Sequence, residues 1–538
     1  MKRSRPVTRS MTHTAQCAVV PSTDTIITKN TAEEDDHAFS QLPPEIQSQI
    51  TALQQKIFKP LVQKLLTTYN SRVMPESTEI NDDLLNQFQQ HFDSDEKNKL
   101  VQQTLVDLPI EYTSEQRDYI SKLNYYYSNT LDRHPMPSNQ QHSGRCWLFA
   151  ALNAARIELM RKYNLPDTFE LSEGFLFFYD KLERCNYFME NMIKLRGEKT
   201  TSLEFYGLTT YACPIEDGGT WGFFMNLIKK YGIVPKDNYQ ECYNTMDTTT
   251  MNELLKNIVT QFTAEIHREE NSKATDEQLR LLKDQMFLPE IYSLLVKMMG
   301  KPPETFDWEY YEDYYGSNNS RVYRRVPNLT PKAFYDEYID PEFRADDKIW
   351  VVHDPRESSS LYHTLSIPGH GNMVGGMPDE MVNISLDEMK QAMINSIKLH
   401  RPVWIACDVG KYFSHERDLL STEAFDFSAA ANTNLEMSKA DQLKFGFSTP
   451  SHAMLCVGVD LDDDGNPRKW RIENSWGVDY GNDPGYLLMT DEWFDKYMYY
   501  AIVDRSCLTE GTRTSIEAHS GKVINLDFND PFGAVARN

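Results

Sequence analysis

The chain has 538 residues, and its 79 acidic residues outnumber its 55 lysines and arginines to give a net charge of −24. That charge opposes general binding to nucleic acid or to anionic membranes, and no apolar run is long enough to cross a bilayer, so neither is an expected partner. The eight cysteines include no Cys-x-x-Cys pair, which indicates reduced thiols rather than a disulfide framework.

The first 42 residues are rich in Ser, Thr, Lys and Arg and poor in acids, and they are predicted to form a disordered tail. This stretch lacks the apolar core of a secretory signal peptide, which favours a cytoplasmic protein. A basic, hydroxylated start is also typical of a mitochondrial presequence, so that alternative stays open. Residues 43–538 are expected to form one folded unit.

A polar turn, Asn139–Arg145, leads into an apolar helix that begins at Cys146. Apolar residues recur at helical spacing until Asn164-Leu165-Pro166 ends the pattern. Unpaired N–H groups and the dipole at a helix N-terminus favour negative charge, so the pKa of the Cys146 thiol is predicted to be lowered. The resulting thiolate would be a nucleophile. The alternative is a small buried cysteine, and only a distant base can decide between the two.

The helices come before the strands. A second helix is expected over 175–187, and the turn Glu216–Thr220 leads into another. Residues from 235 to about 350 are predicted to be a largely helical insertion without catalytic residues. Four later apolar segments are predicted strands: 351–352, 403–406, 486–489 and 500–503. This order indicates an α+β fold with a site in the cleft between its two halves.

A possible base lies 306 residues after Cys146. His452 stands at the head of a buried strand, and a turn at Asp464-Gly465 returns the chain along a second strand to Asn474. Such a hairpin places His452 and Asn474 side by side at one end of a sheet. A neutral imidazole can take the proton from Cys146, and the Asn474 amide can hold the ring in one tautomer.

Two further side chains complete this set. Trp476 follows Asn474 closely enough to shield its contact with the imidazole from water. Gln140, six residues before Cys146, can donate an N–H group to an oxyanion beside the backbone N–H of Cys146. The predicted catalytic residues are therefore Cys146, His452, Asn474 and Gln140. No metal or organic cofactor is expected.

These motifs resemble those of known enzymes. Gln-x5-Cys-Trp, His-Ala and Asn-Ser-Trp-Gly are similar to the motifs of papain-type cysteine peptidases. Longer strings resemble the bleomycin hydrolase and aminopeptidase C branch of that group, and the resemblance extends from about Leu84 to Ala536. These strings are 143–153, 176–185, 303–310, 407–411 and 530–536.

The resemblance implies a papain-like fold with a helical lobe and a sheet lobe, and a cysteine aminopeptidase that forms homohexamers and acts on peptides with free N-termini. It also implies a C-terminal arm, residues 527–538, that lies in the cleft and restricts cleavage to free amino termini. Arg537-Asn538 extend past the family-like end at Ala536, which predicts that the enzyme trims them. The implied substrate-binding residues are Gly218, Gly219, Trp476 and Ala536.

Two alternatives stay open on the sequence alone. One is a papain-type endopeptidase. The other is a catalytically silent scaffold or nucleic-acid-binding assembly that keeps the fold, although the complete set of four catalytic residues argues against lost activity.

Overall fold

The computed structural model describes residues 79–197, 215–268, 271, 273–314, 320–339, 341–344, 348–478, 483–527 and 529–537. The predicted tail (1–42) and the expected start of the folded unit at residue 43 lie outside these ranges. Contacts divide the chain into two compact units, one ending at Asp95 and the other beginning at Glu96. Within the described ranges, no helix combines the length and apolarity needed to span a bilayer.

The first unit contains helix α1 (Asp82–Asp93). The second unit contains the following helices in chain order: α2 (Glu96–Leu105), α3 (Ile110–Ser114), α4 (Arg117–Ile120), α5 (Cys146–Tyr163), α6 (Glu173–Lys194), α7 (Trp221–Tyr231), α8 (Tyr243–Met246), α9 (Thr249–Ile266), α10 (Asp276–Leu282), α11 (Leu288–Met299), α12 (Pro331–Tyr338), α13 (Pro341–Arg344), α14 (Leu386–Lys398), α15 (Phe427–Ala431), α16 (Lys439–Lys444), α17 (Asp491–Tyr497), α18 (Glu510–Ala518) and α19 (Ala534–Arg537).

The second unit contains the following strands in chain order: β1 (Asn129–Thr130), β2 (Phe306–Tyr314), β3 (Ser320–Leu329), β4 (Lys348–Val352), β5 (Thr364–Ser366), β6 (Glu380–Asn383), β7 (Val403–Cys407), β8 (Phe413–Ser414), β9 (Leu419–Leu420), β10 (His452–Leu461), β11 (Pro467–Glu473), β12 (Tyr486–Thr490), β13 (Met498–Asp504) and β14 (Val523–Asn525). Most of them belong to one mixed sheet with the order β14-β5-β6-β4-β13-β7-β10-β11-β12-β9-β8, and β1 also pairs with β10. The four predicted strands are present as β4, β7, β12 and β13. Apart from β1, all strands of this sheet follow α5 to α11 in the chain, and the α+β prediction is confirmed.

The segment from 235 to 350 contains more than the predicted helices. Between α11 and α12 the chain forms an antiparallel ribbon of β2 and β3. Its strands carry cross-strand ion pairs, including Arg321 with Asp313 and Arg324 with Glu312. Because charged residues occupy positions that would be apolar in a half-buried strand, the ribbon lacks the alternation by which a strand is recognised in a sequence.

Helix α5 begins at Cys146 as predicted, because the preceding residue, Arg145, has non-helical backbone angles. The helix is capped at its C-terminal end by Asn164, whose backbone is left-handed (φ 47°, ψ 43°). The helix is buried along nearly its whole length, between the sheet on one side and α6 on the other. The indole of Trp404 on β7 donates to the carbonyl oxygen of Trp147 at 3.2 Å, which ties the first turn of α5 to the sheet.

The β10–β11 hairpin also forms as predicted, with Leu455 opposite Glu473. Its turn is closed by Asp462, whose carboxylate accepts from the backbone N–H groups of Asp464 and Asn466. Strand β10 is buried at every position from His452 to Asp460, because α5 and α14 both pack against it. A strand covered on both faces reads as a continuous apolar run, which is the pattern that identified it.

Candidate active site

The thiol of Cys146 lies where the first turn of α5 meets the start of β10. The backbone N–H of Ala453 donates to Cys146 Sγ at 3.4 Å, and Ala453 is the residue after His452. Cys146 is only 4% exposed. Cys146 and Ala453 are thus adjacent in space although 307 positions separate them in the chain.

The orientation of His452 is set by Asn474. His452 Nε2 lies 2.9 Å from Asn474 Oδ1, which also accepts from the backbone N–H of Ser475 at 2.8 Å. An oxygen that accepts from Ser475 is an acceptor for the ring as well, so His452 Nε2 carries a proton. In the neutral imidazole, Nδ1 is then the basic nitrogen, and it is the atom that can take a proton from a thiol.

The indole of Trp476 covers this pair. Its ring lies 4.9 Å from the His452 ring, with an angle of 31° between the planes. Trp476 also contacts two other rings: the centre of its indole lies 5.8 Å from the centre of the Phe413 ring and 5.7 Å from that of His415, on which it stacks. Aromatic rings therefore lie against the imidazole that bonds to Asn474.

Gln140 is held close to the same residues. Its Oε1 accepts from the Ser475 hydroxyl at 2.6 Å, its backbone N–H donates to the Ser475 carbonyl at 2.8 Å, and its Nε2 donates to the carbonyl of Ser143. A carboxamide nitrogen has two N–H groups, so one donor on Gln140 Nε2 is left for a ligand. The carbonyl of Ser143 can only accept, so it fixes which end of the amide is the nitrogen.

Burial changes the acidity of both reacting groups. It raises the pKa of the Cys146 thiol to about 11, against the opposing effect of the N–H groups of Ala453, Trp147 and Cys146 itself. It lowers the pKa of His452 to about 4, while the bond to Asn474 acts in the other direction. The predicted lowering of the thiol pKa by the helix N-terminus is thus outweighed by desolvation. Passing one proton from thiol to imidazole adds no net charge, and two opposite charges in contact attract strongly at low dielectric.

The two predicted substrate-binding glycines have structural partners of their own. The carbonyl of Gly218 accepts from Arg184 on α6. A Cβ atom on Gly219 would lie 2.3 Å from the indole of Trp147, the residue after Cys146. Glycine is required at 219 because the indole occupies the space of a side chain, a reason that the sequence does not reveal.

Sequence reasoning missed Asp217, which bonds to Gly144 and Trp147 on either side of Cys146 in the chain. Its carboxylate accepts from the backbone N–H of Gly144 at 3.1 Å, from Lys181 at 2.8 Å and from Asn252 at 2.7 Å, and it also accepts from the hydroxyl of Thr248. Its backbone carbonyl accepts from the Trp147 indole at 2.7 Å. Burial works against the charge, but Lys181 and these donors hold the pKa of Asp217 well below its usual range.

The segment predicted to form the C-terminal arm is described at residues 527 and 529–537. The arm forms a short 3-10 turn at Pro531–Gly533 followed by α19, and Phe532 and Ala536 are buried. Arg537 turns back and donates to the carbonyl of Asp530 at 2.9 Å. Asn538 lies outside the described residues, so the predicted trimming stays a prediction.

Asp217→Asn should destabilise the protein by about 3–5 kcal/mol, because it leaves Lys181 as a buried cation without its carboxylate. Iodoacetamide should also react more slowly with Cys146. An amide at position 217 cannot accept from all four donors that now bond to Asp217, and one of these is the N–H of Gly144 in the turn before Cys146. Thermal unfolding and peptide mapping measure the two effects. The double variant Asp217→Asn, Lys181→Met should recover much of the stability but not the alkylation rate; recovery of both would show that Asp217 only balances a charge.

Comparison with known proteins places these residues in a family. Residues 79–533 match the Peptidase C1-like family. Human bleomycin hydrolase is 35% identical over 424 residues, which cover 78% of this chain and 90% of the human protein. Aminopeptidase C of Streptococcus thermophilus is 34% identical over 399 residues, or 74% of this chain and 86% of that protein.

A solved structure agrees with the sequence comparisons. The crystal structure of PepW from Lactobacillus rhamnosis HN001 matches with a TM-score of 0.78 and 32% identity, covering 85% of this chain and 99% of the other. The papain-like fold that the motifs imply is thereby confirmed. The chain belongs to the Peptidase C1-like family and is a papain-like cysteine aminopeptidase of the bleomycin hydrolase and aminopeptidase C type.

Proposed function

We propose that the protein removes single N-terminal residues from peptides, with Cys146 as the nucleophile and His452 as the general base. One observation carries this assignment: the N–H of Ala453 contacts Cys146 Sγ while the preceding residue, His452, is oriented by Asn474. A thiol and an imidazole held in one tautomer at this junction are the two groups that covalent acyl transfer needs.

In the first step the proton of Cys146 moves to His452 Nδ1, and the sulfur attacks the carbonyl carbon of the first peptide bond. The carbonyl π electrons move to oxygen, which becomes an oxyanion. The backbone N–H of Cys146 and the remaining N–H of Gln140 Nε2 are the donors for that oxyanion. Donors already fixed in place, as the Ser475 contact fixes Gln140, stabilise the charge without reorganisation.

In the second step the oxyanion collapses, the C–N bond breaks, and His452 returns its proton to the leaving amine. A thioester to Cys146 remains. Water then attacks the thioester with His452 again accepting a proton, the C–S bond breaks, and the sulfur regains its proton. Asn474 keeps the ring in the orientation that both proton transfers require.

The arm supplies the choice of substrate in this proposal. We propose that the arm occupies the part of the cleft that a longer substrate would need, and that a carboxylate at the end of the arm pairs with the substrate's free α-ammonium group. A charge pair in a partly dry cleft favours a free amino terminus, while the bulk of the arm excludes internal peptide segments.

Cys146→Ala and His452→Ala should each reduce turnover by about a thousandfold or more, and the double variant should lose little further, because the two residues act as a unit. Digestion of a peptide and of its amino-acetylated form, followed by mass spectrometry, measures this. Cys456→Ala, a buried cysteine on the same strand, is the matched control. Internal fragments would indicate an endopeptidase. Complete inactivity of the wild type, with salt-dependent binding to nucleic acid, would indicate a silent assembly.

Iodoacetamide should label Cys146 ahead of the other cysteines below about pH 7, where an unperturbed thiol of pKa about 8.5 is mostly protonated. In His452→Ala the proton has no acceptor, and burial holds the thiol pKa near 11, so labelling should appear only as the pH approaches that value. Peptide mapping across pH 5–11 tests this. Wild-type labelling that begins only at high pH, or equal labelling of all cysteines, would contradict a thiolate–imidazolium pair.

We further propose a homohexamer, in which the segment from 235 to 350 supplies much of the subunit contact. Side chains there that are apolar and exposed support this: Leu254, Leu281, Met286 and Tyr292. Closed symmetry requires complementary patches on each subunit. Sedimentation at micromolar concentration should give about six times the 62.4 kDa mass of one chain. A mass near that of one chain would contradict the proposal.

A cytoplasmic location accompanies this function, and cell fractionation tests it. Recovery of the protein from mitochondria with residues 1–42 removed would favour the presequence alternative.

A further inference from the structure

Arg356 forms an ion pair with the arm. Arg356 donates through Nη1 to Asp530 Oδ2 at 2.9 Å and through Nη2 to Asp530 Oδ1 at 3.1 Å. Its guanidinium also lies 5.3 Å from the ring of Phe532, two residues further along the arm. Only 12% of the arginine side chain and 9% of the aspartate side chain are exposed, so water screens the pair weakly.

Arg356 is itself held rigidly before it meets the arm. Its Nε and Nη2 donate to Asp354 at 2.9 and 2.8 Å, and Asp354 accepts in turn from the Ser359 hydroxyl at 2.5 Å. Asn383, at the end of β6, exchanges hydrogen bonds with the backbone of Asp354 at 2.9 and 3.1 Å. A planar guanidinium fixed in this way loses little conformational freedom when it binds a carboxylate with both of its outer nitrogens.

Asp530 connects Arg356 to the backbone of the arm. Its Oδ1 accepts from the backbone N–H of Phe532 at 3.0 Å and so caps the turn Pro531–Gly533. The carbonyl of Phe532 accepts from the hydroxyl of Tyr500 on β13, and Arg537 donates back to the Asp530 carbonyl. The arm is therefore a small curled element whose position follows from Asp530.

The sheet places this anchor near the reacting groups. Tyr500 lies opposite Ala406 on β7, and Ala406 lies opposite Ala453 on β10, the residue whose N–H contacts Cys146. Tyr500 and Ala453 are therefore two strand spacings apart, which is about 10 Å. Side chains of residues that lie opposite one another, or two apart on one strand, point to the same face of a sheet. Tyr500 therefore lies on the same face as Trp404, whose indole bonds to the first turn of α5. The ring of Phe532 lies 5.4 Å from the ring of Tyr500 and 6.1 Å from the ring of Tyr499.

We infer that Arg356 is a specificity-determining residue, whose ion pair with Asp530 fixes the position of the arm and thereby makes the enzyme select free amino termini. This rests on the proposed function of the arm. Without the pair, the arm keeps its sequence but loses the ion-pair contact that holds Asp530.

Arg356→Ala should raise the ratio of kcat/KM for an amino-acetylated peptide to that for the free peptide by at least about tenfold, since breaking a buried ion pair frees the element that it holds. The loss on the free peptide should appear mainly in KM, and the alkylation rate of Cys146 should not change. Carboxypeptidase Y, followed by intact-mass analysis, should remove arm residues faster from the variant than from the wild type.

Two matched variants separate the anchor from general effects. Asp530→Asn keeps an oxygen for the Phe532 N–H but removes the charge that Arg356 binds, so it should act like Arg356→Ala, and the double variant should add little because the two residues form one contact. Asp527→Asn removes a charge from the same arm, where the carboxylate accepts instead from the N–H of Asn529, and should leave the ratio unchanged.

The outcomes distinguish the two proposals. If the wild type cleaves free and acetylated peptides equally, or cleaves peptides internally, the proposed function of the arm fails. If the wild type requires a free amino terminus but Arg356→Ala and Asp530→Asn both keep that requirement and the carboxypeptidase resistance, the inference about Arg356 is wrong. Should Arg356→Ala fail to fold, the milder Asp530→Asn decides alone.

Discussion

The contact between the first turn of α5 and the first residues of β10 is the constraint on which the whole site depends. Cys146 belongs to α5 and His452 to β10. The hydrogen bond from the Ala453 N–H to Cys146 Sγ shows that the two elements are in direct contact. Because protein interiors are close-packed, a shift of either element would be opposed by the buried side chains on both sides. The geometry of the candidate site therefore depends on how the helix packs on the sheet, rather than on a flexible loop.

Buried polar groups make that packing specific. Asn153 on α5 donates to Glu473 at 2.7 Å, and Arg156 lies 3.3 Å from the same carboxylate, which directly precedes Asn474. Burial raises the pKa of Glu473 to about 7, against the influence of Arg156. These contacts cost desolvation but admit one register of helix against hairpin. Apolar packing alone would tolerate small slips.

In our proposal the sheet also connects catalysis with substrate selection. Strands β10, β7 and β13 are neighbours, so Ala453, which contacts Cys146, and Tyr500, which contacts the arm, belong to one sheet. A C-terminal segment fixed to that surface by Arg356 and Tyr500 acts as part of the cleft wall, although it follows the last strand. In our proposal, general papain-like chemistry becomes an aminopeptidase through this added wall, without any change in the reacting groups.

The sequence by itself determined the local elements: a helix that begins at Cys146, a hairpin that joins His452 to Asn474, and an α+β order, because periodicity and turn residues act over a few positions. Only the tertiary structure showed that Gly219 makes room for Trp147, that Asp217 supports the turn, and that Arg356 anchors Asp530. These partners are far apart in the chain or carry no pattern of spacing. The acidity of Cys146 was decided in the same way, since a helix N-terminus can be read from a sequence, whereas the burial that raises the thiol pKa depends on every element packed around it.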